Sequence, residues 1–431
     1  MLKQRIKSLL VTSMLVAPIA MYSLNSEAGR GGGGGGAVVV PAAVEWTSLL
    51  GGVGTDYSTD AIDIDASGNV AIAGYTFDAL SGFTNQGGMD AIIGMYDADG
   101  ALIWQDQVGT ANNDVFGSVK FDINGDLIVS SGGITTGEVV VMKYGNTGGV
   151  IWSNQYGNAG TDRALDITTD SVGNIYICGS TTGVFGTQTV TLNEDAFLMK
   201  LDTNGNMLWV DQFGSTGATS IDDDCRGVVI DSNDDVYITG YTDAAIVAGA
   251  SGVEFFIRKY DSLGNVQWTT QRDSVAFNRP TDIAIDNANG NIYVTGWGGL
   301  DGPVLGRHDT FVVGFDANGV EQWAVIEQSD GEEWFNGVAV DGNGVIHVAG
   351  YTNGSLAAVN AGDNDIVYAT YDAAGSQLSI VQNNTVSFEV ANGIAVNPAG
   401  TDYYIMGHTD GDLDAEVNNG LYDLFVTRNR P

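Results

Sequence analysis

Tryptophan recurs at Trp46, Trp104, Trp152, Trp209, Trp268 and Trp323, and a similar block of sequence follows it each time. The intervals are 58, 48, 57, 59 and 55 residues, the range of repeat architectures, where one supersecondary unit is copied and stacked. Each block reads as four short strands. In the third block they fall at 164–168, 174–180, 195–201 and 207–213.

The first strand of a block ends on an Asp and enters a tight turn closed by glycine, as in Asp65 to Gly68, Asp122 to Gly125, Asp170 to Gly173 and Asp341 to Gly344. An Asp carboxylate closes such a turn on the backbone while Gly supplies the positive φ, so these are hairpin connections. The second strand ends in Gly-Tyr-Thr or a relative: Gly74-Tyr75-Thr76, Gly179-Ser180-Thr181, Gly240-Tyr241-Thr242, Gly350-Tyr351-Thr352 and Gly407-His408-Thr409. The third runs from an acid to an aromatic residue and Asp (Asp90 to Asp97, Glu254 to Asp261, Asp309 to Asp316), and a second Asp-x-x-Gly turn leads to the Trp strand. Residues 63–68 match the start of an EF-hand calcium loop. Gly74 stands at its twelfth position and the flanks have period two, so that loop is excluded.

Four-stranded antiparallel units of this length are blades of a β-propeller. First strands end at Asp65, Asp122, Asp170, Asp231, Asp286, Asp341 and Asn397, which makes seven blades. The seventh stops after its third strand, at 423–427, with no Trp strand of its own. A spare strand with Trp46 lies at 44–49, ahead of the first complete block. Pairing it with 423–427 completes the last blade and closes the ring, which removes the exposed sheet edges that template aggregation. The fold class is therefore all-β, a seven-bladed propeller over 43–431.

The pattern Trp-x-x-Gln-x-Gly, x-Asp-x-x-Gly-Asn-x-Tyr-x-x-Gly-Tyr-Thr, Asp-Ala-Phe-x-x-Lys-Tyr-Asp-x-x-Gly-x-x-x-Trp resembles the SBBP-type β-propeller repeat of exported bacterial proteins. It stands here as Trp209 to Gly214, Asp170 to Thr181 and Asp195 to Trp209. The resemblance extends over 44–430; it implies seven blades and an exported or surface location, and carries no catalytic residues. Blade two departs from it at Ser131-Gly132-Gly133, and blade seven at Pro398, with Leu378 in place of the preceding Trp. Asp97 to Trp104 and Asp316 to Trp323 are also similar to the tryptophan-docking motif of quinoprotein dehydrogenases. That resemblance implies a Trp that locks neighbouring blades; the cofactor chemistry does not follow, since those propellers have eight blades.

Ahead of the blades, residues 1–28 read as a secretory signal peptide: basic Lys3, Arg5 and Lys7, an apolar stretch from Leu9 to Leu24, and a small-x-small site at Ser26-Glu27-Ala28. Residues 29–42 form a Gly-rich linker. No later segment approaches a membrane-spanning length, so the expectation is a secreted, cell-surface or periplasmic protein. The whole chain carries −37; without residues 1–28 it keeps 13 of 16 basic and 52 of 53 acidic residues, a net charge near −39. That charge repels nucleic acid and anionic membranes. Export permits a disulfide between Cys178 and Cys225, and a buried thiol in a strand is the other arrangement.

Hairpins joining strands one–two and three–four share one face of the ring. The opposite face carries the blade-to-blade connections and the long two–three loops, and variable loops on a rigid scaffold are where binding resides. Phe83, Phe185, Trp297, His308 and Trp334 on this face are the candidate binding residues for a protein or glycan partner. Two series of acids meet there. One opens each third strand (Asp90, Glu138, Asp195, Glu254, Asp309, Asp365, Asp423); the other precedes the end of each first strand (Asp56, Asp114, Asp162, Asp223, Asn278, Glu333, Glu389). They either accept backbone N–H groups and lock the blade, or hold Ca²⁺, the one cofactor this composition suggests. Asp222, Asp223 and Asp224 are the best metal candidates. No catalytic residue set is recognisable. The reading is a monomeric, non-enzymatic binding scaffold; the alternative is a hydrolase or lyase acting on an extracellular polymer through acids at the channel mouth.

Overall fold

The computed structural model describes residues 43–131, 137–157, 160–185, 194–215, 222–242, 245–247, 254–272, 278–298, 308–383, 385–414 and 416–430. The expected signal peptide at 1–28 and the Gly-rich linker at 29–42 lie outside them. Contacts set a unit Val40–Pro431 apart from Met1–Val39, and the former contains seven antiparallel four-stranded sheets. Among the described residues no helix is long and apolar enough to cross a membrane.

Six blades are consecutive in sequence. The seventh is built from Glu389–Val396, Tyr403–Thr409 and Asp423–Arg430, and its outer strand is Ala43–Leu50 from the other end of the chain. That strand pairs from Ala43↔Arg430 to Leu50↔Leu424, as the permuted repeat requires. Successive first strands contact one another, and Asp56–Ile64 of blade one meets Glu389–Val396 of blade seven to complete the circle.

Burial follows position within a blade. Strands two and three are covered on both faces by neighbouring blades; Asp195–Leu201 is buried throughout. Strand four is the outer edge, so Met207 and Leu208 are exposed where Gln212 is buried. The Asp turns behave as their composition dictates: Asp65 Oδ1 accepts the N–H groups of Ser67 and Asn69 at 2.8 and 2.9 Å, with Gly68 at φ 83°.

The tryptophans lock blade to blade. Trp46, Trp104 and Trp323 donate their indole N–H to Ala98, Asn146 and Ala373 carbonyls in the three–four turn of the next blade, at 3.0, 3.1 and 3.0 Å. The rings lie flush on that turn's glycine: a Cβ added at Gly100, Gly148, Gly264, Gly319 or Gly375 would fall 2.5–2.9 Å from the Trp ring. Between blades six and seven this lock is absent. Leu378 stands where Trp would and is 49 % exposed, and blade seven has no three–four turn because its fourth strand comes from the N-terminal segment.

Gln in Trp-x-x-Gln has an equally specific task. Gln107, Gln212 and Gln382 each donate to the acid opening strand three (Asp90, Asp195, Asp365) at 2.8 Å. Their side-chain oxygens accept the N–H of an apolar residue from the long two–three loop: Leu80, Phe185 and Leu356 at 2.8, 2.9 and 3.0 Å. The side chains of Leu80 and Phe185 plug into the core.

Candidate functional site

Every first strand carries a β-bulge against its second strand, at Ser58/Ile62, Phe116/Ser118, Ala164/Asp166, Cys225/Gly227, Pro280/Asp282, Phe335/Gly337 and Ala391/Gly393. A bulge breaks the alternation of a strand and re-aims the side chains beside it. All seven first strands contribute to one axial cavity of about 140 Å³, whose polar lining includes Asp60, Asp166, Asp282, Lys120, Arg226 and Asn336. The backbone groups freed by the bulges are satisfied across blade boundaries. Asp166 Oδ2 accepts Val228 N–H and Asp282 Oδ2 accepts Val338 N–H, both at 2.8 Å, while Thr281 Oγ1 donates to Phe335 O at 2.7 Å.

The wall's cations are each held by an acid. Lys120 Nζ lies 2.9 Å from Asp63, Arg226 lies 2.9 Å from Asp224, and Arg163 pairs with Glu194. Burial raises the Asp60 carboxyl to about 7, with Arg226 opposing and Asp166 adding to the rise. Burial raises Asp166 to about 6 against its three hydrogen-bond donors, Val228, Ser118 and Ile167. Asp282 moves up for the same reason, with Asp166 and Asp60 adding repulsion. Asp60 is exposed where Asp166 and Asp282 are half-buried, so solvent screens its charge the most. It shares their direction with that screening.

On the long-loop side, the residue following Gly at the end of strand two is aromatic in five blades: Tyr75, Trp297 and Tyr351 are half-buried, and Tyr241 and His408 are buried. Its partners across strand one are Tyr57, Asp224, Arg279, Trp334 and Val390. The result is a horseshoe of rings over blades four to one. On one arm Trp297 and Trp334 have centroids 4.6 Å apart, and Trp334 stacks on Tyr351 at 5.9 Å and 9°. On the other, Tyr57 stacks on Tyr422 at 5.2 Å and meets His408 edge-on at 4.9 Å, with Phe77, 51 % exposed, alongside. Tyr241 links the arms to the cationic side, between the guanidinium groups of Arg226 at 5.5 Å and Arg279 at 4.4 Å. Blade three has Ser180 at the aromatic position, and Gly132 of blade two lies outside the described residues.

Of the residues expected on this face, the structure brings Trp297, His308 and Trp334 together; His308 lies 4.5 and 4.9 Å from the two indoles. Phe83 and Phe185 do not join them. Phe185 is 2 % exposed, packed on Phe197 at 4.8 Å, and Phe83 packs against the core of blade one. A core plug at the root of a long loop is apolar for the same reason as a binding ring, so composition does not separate the two. Sequence reasoning missed Tyr57, Tyr75 and Arg163. The signal available was the aromatic after Gly, whose strand ends on the long-loop face by topology. His347 and His408 are buried: His347 Nδ1 meets Tyr368 OH at 2.8 Å, and His408 Nδ1 meets Ser58 Oγ at 3.1 Å, with burial lowering His408 to about 4.

The two acid series serve the loops. Asp56 accepts Gly52 N–H at 2.7 Å, Asp114 accepts Thr110 N–H at 2.6 Å and Asp423 accepts Asn419 N–H at 2.8 Å, while the Thr of Gly-Tyr-Thr bonds the same acids, Thr181 to Asp162 and Thr352 to Glu333 at 3.1 Å. Asp222, Asp223 and Asp224 take separate surroundings. Asp222 is exposed, Asp223 is buried and accepts Ser215 N–H at 2.7 Å, and Asp224 is buried against Arg226. Among the described residues no group of three or more His, Cys, Asp or Glu is arranged to hold a metal ion. Cys178 and Cys225 are buried free thiols in one core cluster between blades three and four.

The chain carries the SBBP beta-propeller repeat, which matches residues 151–186 and 208–246. Each match runs from the Trp strand of one blade through the first two strands of the next. No curated protein matches the sequence. Among solved structures the chain is similar to the extracellular domains 1–2 of Drosophila Semaphorin 1b, at 9 % identity and TM-score 0.50, covering 90 % of this chain and 87 % of that one. It is also similar to Sqt1 from Chaetomium thermophilum (13 %, TM-score 0.48, 85 % and 84 % covered) and to an ulvan lyase of polysaccharide lyase family PL25 (12 %, TM-score 0.49, 88 % and 95 % covered). At these identities the likeness is one of fold.

Proposed function

We propose that this protein is an exported binding scaffold that takes a glycan across the channel mouth on its long-loop face. The observation that carries this reading is the aromatic horseshoe: Trp297, Trp334 and Tyr351 on one arm, and Tyr57, Tyr75 and Phe77 on the other. Planar rings offer a flat apolar face to the C–H side of a pyranose, and their polar tips with neighbouring side chains serve its hydroxyls. Five of these rings stand on strands and Phe77 directly follows one, so little ordering cost opposes binding.

A glycan array followed by calorimetry tests this. Trp334→Ala and Tyr57→Ala each weaken the selected glycan by about 10-fold, the worth of one good ring contact, while a cooperative melt is retained at the cost of the ring contacts each makes in the free protein. Unchanged affinity in both variants refutes the reading. Steady breakdown of a polysaccharide without retention places the protein instead among hydrolases or lyases working through the channel acids.

A further inference from the structure

The gap in the horseshoe is not empty wall. Between blades one and four lies a pocket of about 350 Å³ whose lining includes Asp60, Val115, Gly117, Leu165, Arg163 and Arg226, a volume in the range of small-molecule sites. Its floor is apolar where Val115 is 6 % exposed and Gly117 contributes no side chain. Two guanidinium groups face it from adjacent blades, close enough that the Arg226 charge opposes that of Arg163. In a chain with 16 basic residues against 53 acidic ones, four first-strand positions on or beside the channel are basic: Lys120, Arg163, Arg226 and Arg279. Such a concentration costs self-repulsion and needs an explanation.

Each guanidinium has one acid at a terminal nitrogen, and Arg226 also bonds Tyr241. Glu194 takes one terminal nitrogen of Arg163, and Asp224 takes one of Arg226 at 2.9 Å. Arg163 Nε is buried without an acceptor. A guanidinium offers five N–H donors in a planar fork, so an acid at one edge fixes the group and leaves another edge for a ligand. Two such forks over an apolar floor match a planar carboxylate carried on a ring. Resting on the glycan reading above, we propose that this pocket is a carboxylate subsite that takes a hexuronate residue of the bound chain. Its neighbours then reach the half-buried ring of Trp297 as the chain crosses the mouth. Among the described residues Asp60 is the one carboxylate lining the pocket, and it opposes the ligand's charge.

Titration of the full protein with a tetragalacturonate and the matching neutral tetragalactoside reads the subsite directly. The acidic chain binds at least 10-fold tighter, and the difference shrinks with added salt. Arg163→Gln, and Arg226→Lys, which keeps a charge beside buried Asp224, lower uronate affinity by about 10- to 100-fold and leave the neutral chain unchanged. Asp60→Asn tightens uronate binding. Equal affinity for both chains, or equal loss of both in the Arg variants, overturns the subsite while the glycan reading stands. A sulfated chain of equal length binding more tightly than the uronate overturns the carboxylate assignment. Free galacturonate against galactose in a thermal-shift assay separates the two proposals: protection by galacturonate alone supports the subsite even where the rim variants bind as wild type, and protection by neither overturns it.

Discussion

Whether the tryptophans lock the ring can be measured at the glycines they cover. Gly375 sits at φ 80°, and an added Cβ would lie 2.5 Å from Trp323 Cδ2. In Gly375→Ala the side chain accepts a left-handed backbone at about 1–2 kcal/mol. It also pushes the indole off the turn, at about 1–3 kcal/mol for overpacking, with about 1 kcal/mol more for the bond to Ala373 O. Gly125 is the internal control: a turn glycine at φ 76° with nothing within 4 Å of the added carbon. Gly125→Ala therefore costs only the backbone strain. Urea unfolding should show Gly375→Ala the less stable of the two by about 2–4 kcal/mol with the same slope. In a Trp323→Ala background that excess should vanish, because the clash is gone. Equal losses at the two glycines in the wild-type background would refute the claim that indole docking, rather than turn geometry, holds neighbouring blades.

Deleting 43–50 removes the outer strand of blade seven and Trp46 together, and should abolish a cooperative melt; a truncated protein melting as sharply and as high refutes ring closure. Raised carboxyls hold extra protons in the folded state, so their stabilisation is present near the unfolded pKa and lost as pH rises through the folded value. For Asp56, Asp166 and Asp223, each about 6, and Glu389, about 7, that window is roughly pH 4–7, worth on the order of 1 kcal/mol for each buried group between pH 5 and 8. Buried His347 and His408, lowered below 6.5, work the other way below that pH but are outnumbered. Melting should therefore come at a higher temperature at pH 5 than at pH 8, and the reverse order contradicts this burial. Cys178 and Cys225, both 0 % exposed with their thiols raised by burial, should resist maleimide in the native protein and both react in denaturant; failure to label in denaturant reveals a bridge.

What the repeat made legible, and what it hid, follows from the geometry of strand one. Turns and docking residues act locally, so Asp170, Gly173 and Trp209 report their roles in any single block, and the displaced strand at 43–50 is visible because a count by blades leaves one Trp over. The channel wall is different. Period-two alternation predicts that Ala164 and Asp166 face the same way with Leu165 between, but the bulge between them shifts the parity. The side that lines the axis then cannot be read from spacing. Blade one hides more, because its shift from Ser58 to Ile62 spans an extra residue and brings Asp60 to the wall with no counterpart in the other blades.

Function concentrates where the copies differ. At the position after Gly, five blades supply an aromatic ring and blade three supplies Ser180; at the bulge itself the ring of first strands offers Gly117, Leu165, Arg226, Thr281, Asn336 and Asn392. A sevenfold scaffold alone would present seven identical edges to the channel and select nothing. Selectivity requires the symmetry to break at the mouth while holding at the turns and docking tryptophans, and this chain breaks it on the wall between blades one and four. The bulges make that compatible with a stable ring. Backbone groups released on one strand are satisfied by side chains of the preceding blade, such as Asp166 and Asp282, so the wall residues that make no such bond can vary without leaving a buried donor unpaired. On this argument, exchanging Ser180 for Tyr should fill the gap and close off the pocket beside Arg163; because Ser180 is fully buried and donates to Glu194 at 2.6 Å, the larger ring also costs about 1–3 kcal/mol of overpacking. If the Ser180→Tyr protein kept its full preference for uronate over neutral chains, the pocket would not be the place where that choice is made.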